Sequence, residues 1–390
     1  MRSSLNMPMN YFTSSIKNYR GLNKTWRSLS LLILMGVFAS PFVQGHHGIA
    51  VKFDPDNRIN LQGRVTKIDW ANPHAHIFIS TDAGERWYVE LESPVILEWN
   101  DWSENTLRPG DRINVSGFLA RNDSRQVWGD IVSKVSSEER VFTVNRNALD
   151  LANAVNTDRE VPRWPDGLPR LGAAPGEEGY WVPDTTIMQE QGVEIAMTDY
   201  GLLENIDDAA QVAPLQEWAL QLYRFRQQSY LQNDPSFLEC RPPSGPRKFQ
   251  SPLGIQLLED KPWQRIFVIA AGGNQDWHLI YTDGRGINSG FQVDNDNVLY
   301  YGREVAHWEG DTLVIEAEGF NEKFWLTGGL PHTSLMKTQE KLTRTDFNTM
   351  EYEVTIDDPG AYTRPWTMHW TLKWLEGGDP PEFYCQDNRL

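Results

Sequence analysis

Between residues 46 and 145 apolar and polar positions alternate in short runs: 60–70 (NLQGRVTKIDW), 74–80 (HAHIFIS), 86–91 (RWYVEL), 112–120 (RINVSGFLA) and 127–135. Each run is rich in β-branched or aromatic residues. Turn formers such as Asp82-Ala83-Gly84 and Pro109-Gly110-Asp111 separate them. This is the period-two pattern of half-buried strands. Residues 94–102 break the alternation and predict a short helix between the third and fourth strands. Five strands with that single interruption predict a small Greek-key barrel of the oligonucleotide/oligosaccharide-binding (OB-like) type.

From 146 to 207 the rhythm gives way to a Pro-, Gly- and acid-rich stretch (RWPDGLPRLGAAPGEEGYWVP), expected to be a linker or a wrapped loop. A helix follows, with Pro214 near its start and Leu215, Trp218, Leu222 and Phe225 on one stripe expected to pack on the next domain. Strand patterns then return at 265–271, 277–281, 298–308, 312–317, 335–344, 350–356 and 365–375, with tight turns at Glu309-Gly310 and Asp346–Thr349. Seven or eight strands joined by short turns predict an antiparallel meander or up-and-down barrel over 208–390, a form that often holds a small ligand. The chain is therefore expected to be mainly β, with two barrels and one linking helix.

The first 45 residues hold five basic residues, no acidic one, and an apolar run from Leu29 to Ala39 that ends before Val43-Gln44-Gly45. That order is expected of a cleaved secretory signal, with His46 the first mature residue and a periplasmic or secreted location. The apolar run is too short for a membrane span, which needs roughly 20 residues, and none follows it. Without this segment, 31 basic residues face 53 acidic ones, a surface that repels nucleic acid and anionic lipid.

Two cysteines remain, Cys240 and Cys385. In an oxidising compartment they are expected to form a disulfide closing a loop of 145 residues. Four of the eight histidines, His46, His47, His74 and His76, lie within the first 31 mature residues. An N-terminal amine, its own imidazole and a further imidazole suit copper(II), and zinc(II) accepts a similar set. On a strand His74 and His76 share one face, either to reach one ion or as part of a solvated surface. Trp277, Trp308 and Trp325, with His332 beside Pro331, are the candidate walls of a ligand site in the C-terminal part. His278, His307, His332 and His369 are available as bases, and Asp311, Glu340 and Asp346 as acids, but no Gly-x-Ser-x-Gly elbow or catalytic cysteine pattern accompanies them.

His46-His47-Gly48, Gly63-Arg64-Val65, Trp70-Ala71-Asn72-Pro73-His74, Pro94 and Pro109-Gly110-Asp111 together resemble a family of exported bacterial domains of unknown function. Mature forms of that family open with His-His, usually followed by Ser where Gly48 stands here, and carry an Asn-Pro-His strand. The resemblance covers about residues 46–135 and implies a compact β domain. Trp308–Val314, Gly319-Phe320-Asn321, Pro331-His332 and Thr355–Pro359 resemble a second exported module without an assigned activity. Three functions are consistent with these residues: a binding protein for an apolar or saccharide-like small molecule, a copper or zinc protein using His46, His47, His74 and His76, and a hydrolase or isomerase using His332.

Overall fold

The computed structural model describes residues 49–72, 74–122, 124–135, 140–142, 159–183, 187–189, 192, 194–195, 202–251, 253–271, 276–287, 299–382 and 384–385. Among them no helix is long and apolar enough to cross a membrane.

After a helical turn, Ile49–Lys52, come β1 (Phe53–Asp69), β2 (His76–Ser80), β3 (Arg86–Glu90), the helix Pro94–Trp99, β4 (Arg112–Ala120), β5 (Gln126–Lys134) and β6 (Arg140–Phe142). The helix forms where Ser93 accepts from the Ile96 amide and Pro94 opens the first turn, a sequence arrangement suited to a helix start. β1 pairs with β2 and β4, β2 with β3, and β4 with β5, all antiparallel, while β3 meets β5 in parallel at Tyr88–Glu90. The ring β1-β2-β3-β5-β4 is the OB-like barrel expected from the pattern, and β6 extends the edge of β5. Gly117 faces Gly129 across β4 and β5. A Cβ on Gly117 would lie 1.8 Å from the Trp128 carbonyl oxygen, so only glycine lets the strands approach.

The second barrel uses β7 (Gly179–Pro183), β10 (Ile255–Asp260), β11 (Arg265–Ala270), β12 (Trp277–Tyr281), β13 (Arg303–Glu309), β14 (Thr312–Glu318), β15 (Lys337–Arg344), β16 (Thr349–Asp357) and β17 (Trp366–Glu376). Two short strands, β8 (Ile187–Gln189) and β9 (Glu194–Ile195), hang on β17. Pairing runs from β10 through β17 and returns through β7, closing nine strands. In a closed ring every antiparallel neighbour reverses direction, so an odd number of strands forces a parallel junction. Each barrel has one: β3/β5 in the first, and β12/β13 in the second, held by the single pair Tyr281 and Val305.

Three expectations change. The stretch expected to be a linker supplies β7, because Tyr180 and Val182 pack with Leu375 and Trp99 on one side while Trp181 meets Trp374 at 5.0 Å on the other. With both faces buried, the strand loses its alternation and no longer reads as one. β10 likewise joins the wall outside the expected runs. The helix forms over Glu217–Gln228 but buries Ala219, Tyr223 and Gln227. Trp218 and Phe225 remain 48% and 59% exposed. Gln227 goes inside because its amide donates to Gly328 O and its oxygen accepts from Leu203 N, which removes the penalty of burying an amide.

The second barrel is filled. Inward residues of β16 and β17, among them Met350, Tyr352, Trp370 and Trp374, meet a 3-10 turn, Gly245–Gln250. Phe249 on this turn lies 4.6 Å from the Tyr352 ring, and its carbonyl accepts from the Trp370 indole at 3.3 Å. Trp366, with Trp181, Trp370 and Trp374, is part of this core, so several tryptophans serve packing.

Candidate functional site

The turn Gly245–Gln250 carries a lysine into the packed interior of the second barrel. Lys248 is fully buried and donates to Glu304 on β13 and, at 3.3 Å, to Glu340 on β15. Thr338 adds a hydrogen bond to Glu340 at 3.1 Å. His278 on β12 brings Nε2 to 3.0 Å from Glu304 Oε2, close but not aligned as a hydrogen bond. Its ring stacks on Tyr301 with centroids 4.3 Å apart. Glu304, Ala306 and Trp308 fall on the inward parity of β13, as do Thr338, Glu340 and Leu342 on β15, so both carboxylates enter the core at positions that strand periodicity assigns to it.

Burial alone would lower the Lys248 ammonium's pKa, but the charges and hydrogen bonds of Glu304 and Glu340 outweigh it and raise the value, keeping the group charged. Burial alone would raise the Glu304 carboxyl, and the His278 and Lys248 charges, with the Lys248 hydrogen bond, outweigh it to hold the value at about 2. Stability from a depressed carboxyl is present above its ordinary 4.5 and lost as pH falls toward 2. Acid unfolding followed by tryptophan fluorescence is expected to steepen in that window. Glu304→Gln should flatten this part of the curve, and an unchanged slope would remove Glu304 as its source.

The cluster reaches the wall at the β12/β13 seam. Tyr301 and Asp276 stand there, and Tyr301 Oη and Asp276 Oδ2 are buried with no hydrogen-bond partner. Burial raises Asp276 to about 6. Burial first, then Asp276 and Glu304, push the Tyr301 phenol well above its ordinary value. A chain of ionisable groups thus runs from the seam to the barrel centre.

The first barrel holds a second buried charge cluster. Glu90, at the end of β3, accepts from Lys52 at 2.6 Å through Oε2 and lies 2.7 Å from His74 Nδ1 through Oε1. His76 Nε2 is 4.0 Å from Oε2, and its ring stacks on Tyr88 at 4.7 Å. His74 lies edge-on to Trp128 at 5.3 Å. β2 begins at His76 rather than at His74, so the histidines converge on Glu90 from a strand and the loop before it. Burial chiefly lowers His76 to about 4. Glu90 ends up below the ordinary carboxylate range: burial opposes this, but His74 and Lys52 prevail.

Residues 36–128 match the model of a family of unknown function, DUF6152. No curated protein matches the chain. The DUF6152 match takes in β1 to β4, ends three residues into β5, and contains Lys52, His74, His76 and Glu90. The second barrel, with Lys248, Glu304 and Glu340, lies beyond it.

The other expected residues have these places. His46 and His47 lie outside the described residues. Trp277 is 60% exposed on the outer face of β12, beside Phe267 at 6.0 Å. Trp308 packs, half-buried, against the core, and Trp325 lies under the Arg226 guanidinium at 3.9 Å. His332 is buried, with its ring nitrogens 3.3 and 3.0 Å from the carbonyls of Thr333 and Phe324. These four therefore have separate neighbours. Cys240 and Cys385 form a disulfide with Cα atoms 5.5 Å apart. Of the candidate bases and acids, His278 and Glu340 join the central cluster. Asp311 pairs with Arg163, His307 points outward beside Glu309, and Asp346 caps the β15–β16 turn at Asn348. Asp358 accepts from Thr333 N and Oγ1, a structural clamp.

Lys248, Glu304, Tyr301 and Asp276 were not among the residues expected to matter. Strand parity could have flagged Glu304, since it shares the inward face of β13 with Ala306. Lys248 has no comparable signal, because a short 3-10 turn carries no period that says which side faces in.

Proposed function

We propose that the protein is an extracytoplasmic binding protein, and that its ligand is a small, neutral, hydroxylated molecule of saccharide-like chemistry bound at the β12/β13 seam. One observation carries this reading: Tyr301 Oη and Asp276 Oδ2 are buried without partners where the barrel wall is held by a single residue pair. A buried polar atom left unpaired costs roughly 1–3 kcal/mol, so a partner that both donates and accepts is favoured there. A hydroxyl does both. An apolar ligand would leave both atoms unpaired, and an anionic one would meet Asp276, Glu304 and Glu340. The disulfide supports the compartment, because such bonds persist in oxidising surroundings.

Because Asp276 titrates at about 6, it is a charged acceptor at pH 7.5 and a neutral one at pH 5. Calorimetric titration of the full chain with mono- and oligosaccharides is expected to find a ligand that binds about tenfold more weakly at pH 5, the scale of one charge-assisted hydrogen bond. Asp276→Asn should bind weakly at both pH values, and Tyr301→Phe should weaken binding without changing its pH dependence. A panel without any binder, or a pH effect that persists in Asp276→Asn, overturns the assignment.

A further inference from the structure

The cluster in the first barrel contains more than an ion pair needs. The ammonium of Lys52 and the carboxylate of Glu90 would satisfy each other, yet two imidazoles converge on the same carboxylate. His76 Nε2 and the neighbouring Tyr88 Oη are buried with no hydrogen-bond partner. The Glu90 side chain is 2% exposed, those of His76 and Lys52 8% each, and that of His74 12%. Phe53, Tyr88 and Trp128 wall the cluster in, with the ammonium 5.3 and 5.5 Å from the first two ring centres.

We propose that His74, His76 and Glu90 form a site for one divalent transition-metal ion, zinc(II) or copper(II), whose place the ammonium of Lys52 takes. Two imidazoles and a carboxylate are a donor set that either ion accepts. Metal–donor bonds of about 2.0–2.2 Å put neighbouring donor atoms in a tetrahedral site roughly 3.3–3.5 Å apart. The distances from the Glu90 carboxylate to the two imidazoles, 2.7 Å from Oε1 to His74 and 4.0 Å from Oε2 to His76, bracket that spacing. Among the described residues no three such side chains already stand at coordination spacing. In this structure the ammonium holds Glu90 Oε2 at 2.6 Å. Lys52 ends a single helical turn, so its long side chain can leave as the ion enters, and a double positive charge then replaces a single one beside the carboxylate. All three donors lie inside the DUF6152 match, and the site is independent of the seam in the second barrel.

The test uses the full chain and either ion alone, with affinity read by chelator competition. One ion per chain is expected. Lys52→Met, which removes the competing charge, should bind about tenfold tighter or more, and His76→Gln about tenfold weaker or more. The double variant His46→Ala/His47→Ala should keep the wild-type affinity. X-ray absorption of the zinc-loaded wild-type chain should show two imidazole ligands, a reading that does not depend on any variant folding. Loss of binding in the double variant, no gain in Lys52→Met, or a ligand shell without two imidazoles overturns the site.

Discussion

Lys248→Met is expected to destabilise the second barrel by about 3–5 kcal/mol, the usual cost of stripping one partner from a buried ion pair. The wild-type ammonium is fully enclosed between Glu304 and Glu340. A thioether of similar length fills the space but removes the ammonium that the two carboxylates share, and one of them must take up a proton for the barrel to stay closed. At roughly 2–4 °C per kcal/mol for a domain of this size, the midpoint should fall by about 6–20 °C. A companion variant separates charge from packing. Lys248→Met combined with Glu304→Gln and Glu340→Gln removes all three charges and should recover much of the loss, since a neutral, hydrogen-bonded core carries no uncompensated ion. Thermal and urea unfolding, followed by circular dichroism and tryptophan fluorescence, provide the measurement. A single variant as stable as wild type would show that the ammonium carries no net stabilisation, and a triple variant no better than the single would assign the loss to packing.

Loss of the Cys240–Cys385 bond should cost about as much. It closes a loop of 145 residues, and the chain-entropy relation gives about 4–5 kcal/mol for a loop of that length. The bond joins the segment after the helix Glu217–Gln228 to the residues after β17, so β10 through β17 lie inside the loop. Without it the unfolded chain gains the conformations the bond forbids, while the folded barrel keeps its pairings. Cys240→Ala/Cys385→Ala and the reduced wild-type chain should therefore unfold at the same lowered urea concentration, well below that of the oxidised chain. Cys385 is buried, so reduction should also be slow in the folded state. Equal midpoints with and without the bond would sink the prediction.

The amino-acid sequence by itself determined the local elements. Alternation and turn residues placed β2 to β5, the helix before β4, the hairpin at Gly310 and most of β13 to β17, because a strand on a one-sided surface writes its period into a few consecutive residues. The order of strands around the helix was enough for the OB-like barrel, and the cysteine pair was legible because no other cysteine competes. Residues far apart in the chain decided the rest. Closing an odd ring placed one parallel junction at β12/β13, and no local pattern carries that parity. β7 became a wall strand because Trp374 and Leu375 cover its two faces, and the helix Glu217–Gln228 turned Tyr223 inward rather than Trp218 because Gly328 and Leu203 offered Gln227 its hydrogen bonds. Lys248 finds Glu304 and Glu340 across 56 and 92 residues, and Lys52 finds Glu90 across 38. A buried charge survives only beside its counter-charge, and which charges become neighbours is settled when the barrels close.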